Sequence, residues 1–270
     1  MLDTFPGGEY SIGRAQIPIP MNPKHLRHVH FVTVPALIAF ACSAFGQAQD
    51  PALQKEPGWE KSAALGFTLT RGNSKTLLFT GNIQATKKKA DNEWNFGADA
   101  TYGENDDVKN AENVRGYGQY NRLFTERFFG YLRLEAFHDA IADVDYRITV
   151  GPGAGYYFIK EKDISLRAEA GPAYVVEKQG GQTDDYITLR LAERFDWKIN
   201  ERAKIWQGVE VLPQVDDWDN FIVNAEIGLE TSIITQLSLR TYLQDTYDHE
   251  PAPGRQKNDM KFVTAIAYKF

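Results

Sequence analysis

The 270-residue sequence holds a single cysteine, Cys42, so no disulfide framework can form within the chain. It has no long basic run, and its net charge of −6 argues against nucleic acid as a partner. Beyond residue 50 no apolar stretch is long enough to cross a membrane as a helix, which takes about 20 residues. Histidine is scarce there too, with only His138 and His249 available as general bases.

Tyrosine, phenylalanine and glycine are plentiful instead, at 13, 16 and 22 residues, the glycines scattered along the chain. Mixed with threonine and alternating charge, they favour strands over helices.

The N-terminal part is expected to be an export signal. Lys24 and Arg27 form a short positive region, the residues from Phe31 to Cys42 an apolar one, and Ala44-Phe45-Gly46 places small residues where a signal peptidase cuts. The expected division is a non-native upstream extension over 1–20, a signal peptide over 21–46 with cleavage after 46 or 48, a short segment over 47–58, and the folded region over 59–270. Cys42 lacks the preceding residues of a lipoprotein site.

From Trp59 onward, segments of about ten residues alternate in polarity and are separated by turn-rich polar stretches. In the first, Trp59, Ala63, Leu65, Phe67 and Leu69 share one face, while Glu60, Ser62, Gly66, Thr68 and Thr70 share the other. Eleven further segments follow, among them one with Tyr146, Ile148, Val150, Ala154, Tyr156 and Phe158 opposite Arg147, Thr149, Gly151, Gly153 and Gly155. The fourth, around Val114 to Tyr120, is ambiguous because Gly116 and Gly118 thin its apolar face. The eighth puts Glu193 among outward apolar residues, at a cost that depends on depth.

Short connections (87–92, 125–127, 160–163, 200–202 and 235–236) alternate with mostly longer ones (103–110, 139–145, 178–184, 214–219 and 248–258). A tight turn near Gly72-Asn73 is the exception. Aromatics gather in two bands. Trp59, Phe124, Phe128, Phe158, Trp197 and Phe270 fall at one end; Tyr102, Tyr146, Tyr174, Tyr186 and Tyr247 fall at the other. A soluble sandwich would bury its aromatics mid-strand. The expected fold is all-β: a transmembrane antiparallel up-and-down β-barrel of about 12 strands in a bacterial outer membrane.

The chain ends with Ile266, Tyr268 and Phe270 on one face, resembling the terminal signature read by the barrel-assembly machinery. The opening run from Trp59 to Ser74 (WEKSAALGFTLTRGNS), the Gly151-Pro152-Gly153-Ala154-Gly155-Tyr156 stretch and the Tyr268-Lys269-Phe270 ending are similar to the YdiY-like family of salt-induced outer-membrane proteins. The likeness runs over 58–270. It implies an outer-membrane location and brings no substrate or catalytic residue.

Candidate sites are few. His138 with Asp139 could serve a lipid-modifying enzyme, but no serine motif accompanies it. The glycines at 151, 153 and 155 sit in a strand pattern with a proline, unlike a phosphate loop. The acidic connections (Asp106, Asp107, Asp143, Asp145, Asp184, Asp185, Asp216, Asp217, Asp219) lack the spacing of a calcium loop, and solvated charge or a receptor surface are the readings they leave.

The inward charges are the main candidate site: Arg133, Glu135, Arg147, Arg167, Glu169, Arg190, Arg194, Glu210, Glu226, Glu230 and Arg240. Either the arginines line a wet pore favouring anions, or opposite charges interlock into a packed polar core. The expected function is accordingly a narrow solute or ion passage or an envelope-stress structural protein. Outer-membrane lipid, lipopolysaccharide, the assembly machinery and small anionic solutes are the expected partners, with no cofactor.

Overall fold

The computed structural model describes residues 58–70 and 76–270. The proposed extension, signal and cleavage site lie outside these residues, as does the tight turn expected near Gly72-Asn73.

The barrel belongs to the compact unit Gln54–Phe270. Twelve strands follow one another: β1 (Glu60–Thr70), β2 (Thr76–Lys89), β3 (Asn92–Asn105), β4 (Val108–Leu123), β5 (Phe128–Asp139), β6 (Val144–Lys160), β7 (Ile164–Gln179), β8 (Gln182–Lys198), β9 (Ala203–Pro213), β10 (Phe221–Ser232), β11 (Leu237–Asp248) and β12 (Asn258–Lys269). Each pairs antiparallel with its sequence neighbours, and β1 closes on β12 through Ser62↔Lys269 to Leu65↔Ile266, so the sheet has no free edge. No helix among the described residues is long and apolar enough to cross a membrane, a statement that does not bear on strands.

The period of two sets what faces where. Leu65, Phe67, Ile83, Leu132, Leu134, Ile187, Ile227, Phe262 and Ile266 point outward and are exposed, while Ser62, Thr80, Glu93, Gln119, Asn121, Glu169, Arg190, Glu230 and Arg240 point inward and are buried. This is the reverse of a soluble protein, polar inside and apolar outside. The fourth strand is settled by register: Gly116 and Gly118 face Ala98 and Phe96 on the outward side. The ring of Phe96 lies over Gly118, and Arg115, Tyr117, Gln119 and Asn121 are left to point inward.

Inward aromatic rings use glycines on the next strand as seats. Phe129 and Tyr131 of β5 lie against Gly155 and Gly153 of β6, and Trp206 of β9 lies against Gly228 of β10, with no room for a Cβ at any of the three. The glycine-rich stretch of β6 is therefore a packing surface within a strand.

The end carrying connections 90–91, 124–127, 161–163, 199–202 and 233–236 is called inner here, and the other outer. Two outer connections expected to be long are two-residue turns. Asp106 and Asp107 have φ of 50° and 63°, and Gly180 and Gly181 have 58° and 79°. Positive φ at both central positions is what a tight hairpin needs, so the flanking polar residues extend the ladder. Longer connections remain at 214–220 and 249–257. The inner aromatic band stands as expected, with Trp59, Phe124, Phe128, Phe158, Trp197 and Phe270 all exposed. The outer band lacks Tyr186. It shares the parity of Thr188 and Arg190, points inward, and donates to Glu177 at 3.0 Å.

Candidate functional site: the barrel interior

Eight strands enclose just enough space for side chains, whereas 16 to 18 leave an open channel. Here twelve strands enclose a cavity of about 1060 Å³. Its lining reaches Glu60, Lys88, Glu161 and Lys198 at the inner end and Asp139, Gln179, Asp248 and Lys257 at the outer end. The volume holds a few tens of water molecules at about 30 Å³ each.

The predicted interior charges are brought together in pairs. Glu135 takes Arg133 at 2.6 Å and Arg115 at 2.7 Å. Glu169 lies 2.9 Å from Arg190 and 3.1 Å from Arg167, and Arg190 also holds Glu210 through its Nε. Arg194 lies 3.1 Å from Asp196 and 3.6 Å from Glu226. Arg240 and Lys269 converge on Glu230 at 2.8 and 2.5 Å. Arg147 lies 2.5 Å from Glu177 and 3.1 Å from Asp248. None of the six predicted arginines is left without a carboxylate.

Most of these pairs are strand neighbours, but some span the interior. Gln119 of β4 donates to Glu169 of β7 at 3.1 Å, and Tyr157 of β6 donates to Glu93 of β3 at 2.7 Å. Arg240 of β11 reaches Asn82 of β2 at 3.0 Å, and Lys261 of β12 reaches Thr101 of β3 at 3.0 Å. Guanidiniums also stack on rings, Arg133 on Tyr117 at 4.5 Å and Arg190 on Tyr131 at 5.4 Å. Such a lattice costs little while every member is satisfied and a great deal when one is removed. It narrows the interior without filling it.

Sequence reasoning missed Arg115, Gln119, Asn121, Tyr157, Glu177, Asp196 and Asp248 as members of the lattice. The polar alternation of Arg115, Gln119 and Asn121 was a readable sign of an inward face, hidden by the weak apolar face opposite. The partners across the interior depend on the stagger between strands, which a single sequence does not display.

The other candidates fall outside the lattice. His138 points outward at the outer end, its Nδ1 2.9 Å from the Asp145 carbonyl oxygen. The acidic connections are engaged in local structure. Asp139 caps the 140–143 turn by accepting from the Ile141 and Ala142 N–H groups at 2.9 and 2.8 Å. Asp145 pairs with Lys178 at 2.6 Å, and Asp185 accepts from Tyr174 at 2.8 Å. Among the described residues no group of His, Cys, Asp and Glu is arranged to hold a metal ion. Glu193 points outward opposite Ala168 and Val209, in an apolar depression lined also by Phe128, Tyr156 and Leu191.

Residues 63–270 match the family described as "Protein of unknown function, DUF481". The chain belongs to the DUF481 family. No curated protein matches it. Among solved structures, this DUF481 barrel is similar to the NanC porin, with TM-score 0.49 and 7% identity over 78% of this chain and 100% of that one. It is similar to the KdgM porin, with TM-score 0.43 and 8% identity over 79% and 99%. It is also similar to the outer membrane channel DcaP of Acinetobacter baumannii, with TM-score 0.40 and 10% identity over 79% and 96%.

Proposed function

We propose that this chain spans a bacterial outer membrane and provides a narrow passage for small hydrophilic solutes. The observation that carries the reading is one polar cavity lined by residues of both ends, inside a closed wall whose outward side chains are apolar. A closed barrel is one of two ways to satisfy every backbone group in hydrocarbon. The strands have 11 to 17 residues, against the about 9 to 11 that a tilted spanning strand needs, which leaves polar ends on both sides.

Small anionic solutes are within the proposed range, but with weak charge preference. The arginines that would draw anions each carry a carboxylate, so the lining offers little surplus of one sign. Lipid and lipopolysaccharide would surround the apolar band, and the Ile266, Tyr268 and Phe270 face would serve the assembly machinery. Cleavage of an export signal before the barrel and a salt-responsive role in the envelope, as the resemblance to the YdiY-like family implies, complete the proposal.

The test is single-channel recording of the refolded chain in a planar bilayer, with the reversal potential read under a salt gradient. Discrete small steps with a reversal potential near zero are expected. A correctly folded barrel that never conducts, with its outer connections intact or shortened, would overturn the passage.

A further inference from the structure

The connections 140–143 and 249–257 do not stand clear of the outer end. Ile141, Ala142, Pro251, Gln256 and Lys257 line the interior cavity. Both connections meet a third, the Gly180-Gly181 turn between β7 and β8. The Gly180 N–H donates to the Asp143 carbonyl at 2.9 Å. On its other side, a Cβ placed on Gly180 would lie 3.2 Å from Pro253 Cδ and 3.4 Å from Ala252 Cβ. Ala252 is only 4% exposed and Val144 only 2%, so apolar groups are buried at the outer end of the interior.

The base of the longer connection is tied down in the same way. In the ring order β6 and β11 stand five strands apart, so their side chains meet only by crossing the mouth. Arg147 of β6 nevertheless places its Nη2 3.1 Å from Asp248 Oδ2, at the end of β11. The same guanidinium is held by Glu177 at 2.5 Å and by Gln179 at 3.1 Å, so it is a fixed anchor rather than a mobile arm.

We propose that residues 249–257 form a strap that closes the outer mouth and swings clear when the Arg147–Asp248 contact breaks. The inference rests on the passage reading and adds a gate to it. Among the described residues, what holds the strap across the mouth is the Arg147–Asp248 pair at its base and the apolar contact of Ala252 and Pro253 on Gly180. The His249 N–H at its start donates to the Phe221 carbonyl at 3.0 Å, on the same side as its own strand. Segments tied by so few contacts open at a small fraction of the cost of global unfolding. Breaking the pair still leaves Arg147 bonded to Glu177 and Gln179, so opening strands no buried cation.

A disulfide between Gly180→Cys and Ala252→Cys, in a Cys42→Ser background, would pin the strap. The 3.4 Å separation lies just short of the about 3.5 to 4.5 Å between bonded Cβ atoms, and the φ of 58° at Gly180 adds some strain, so the bridge needs a small adjustment of the turn. With bridge formation confirmed by mass, single-channel currents are recorded before and after reduction. The oxidised form is expected to stay at a low conductance, and reduction is expected to restore openings. Asp248→Asn without the cysteines is expected to raise the open fraction several-fold. Equal currents in the oxidised and reduced forms would overturn the strap. A variant with 249–257 replaced by an Asn-Gly turn separates the two ideas. Steady current through it supports the passage whatever the disulfide does, and silence removes passage and strap together.

Discussion

The Tyr157 hydroxyl donates to the Glu93 carboxylate at 2.7 Å, joining β6 to β3 through the interior. Asn121 donates to the same oxygen at 3.2 Å, and Lys88 lies 3.7 Å from the other. Glu93 is buried and depends on these donors. Tyr157→Phe keeps the ring against Phe129 at 5.2 Å but removes one donor. It is expected to destabilise the barrel by about 1.5–3 kcal/mol, the worth of one hydrogen bond to a charged group, since Asn121 stays on the same oxygen. Urea unfolding in detergent reads the change, and an unaltered midpoint would show that water replaces the phenol.

Arg190 is the hub of the predicted lattice, shared by Glu169 and Glu210. Arg190→Ala would leave two carboxylates facing the cavity with less compensation, a loss of about 3–5 kcal/mol for a buried pair. It would also widen the passage and add negative charge. Conductance should rise and the reversal potential should move toward cation preference. If both stay as in the parent chain, Arg190 does not border the path of the ions.

The alternation in sequence assigns the predicted arginines and glutamates to one face of the strands, and in the structure they engage carboxylates and guanidiniums as ion pairs. It could not say which of them meet. Arg147 and Asp248 are 101 residues apart and pair only because the ring closes with a particular stagger. Arg115 is hidden with its strand, whose outward side carries Gly116 and Gly118, the second of them covered by Phe96 of β3. The tight turns at 106–107 and 180–181 look like loops in sequence because polar residues occupy both faces of a ladder that runs past the apolar band. Burial gives no signal there, and only backbone geometry distinguishes an extended hairpin from a loop.

The seating of rings on glycines gives a steric prediction. Gly155→Val sets a branched side chain where the buried Phe129 ring lies. Overpacking of this kind costs about 1–3 kcal/mol. Gly81→Ala is the control, since its Cβ would lie 3.7 Å from Leu65 Cδ2, an ordinary contact. Thermal unfolding should separate the two clearly. Equal midpoints would mean that the β5–β6 wall can shift to make room.

The outward face tests the membrane itself. Leu134 is exposed at mid-strand between Gly118 and Val150. In lipid, Leu134→Arg should cost about 2–4 kcal/mol. Glu193→Leu should stabilise, because it removes a carboxylate from an apolar surface. Folding titrations in lipid vesicles measure both. Neutral effects at the two positions would place the outward face in water and would remove the outer-membrane reading with it.

Phe270 separates assembly from stability. Its N–H donates to the Lys61 carbonyl at 3.2 Å, so the backbone of the last residue joins the ladder that closes β12 on β1. Its ring is exposed and, among the described residues, stacks only on Tyr268, at 6.1 Å. Phe270→Ala keeps the backbone bond and removes an outward ring that supports nothing inside the barrel. The refolded variant should therefore unfold within about 0.5 kcal/mol of the parent, as surface substitutions do. If the ring is part of the signal read during insertion, the same variant should reach the outer membrane at several-fold lower levels in cells. Comparing the amount of folded barrel in membrane fractions with the unfolding midpoint in vitro distinguishes the roles. A parallel loss in both would assign Phe270 to barrel closure instead.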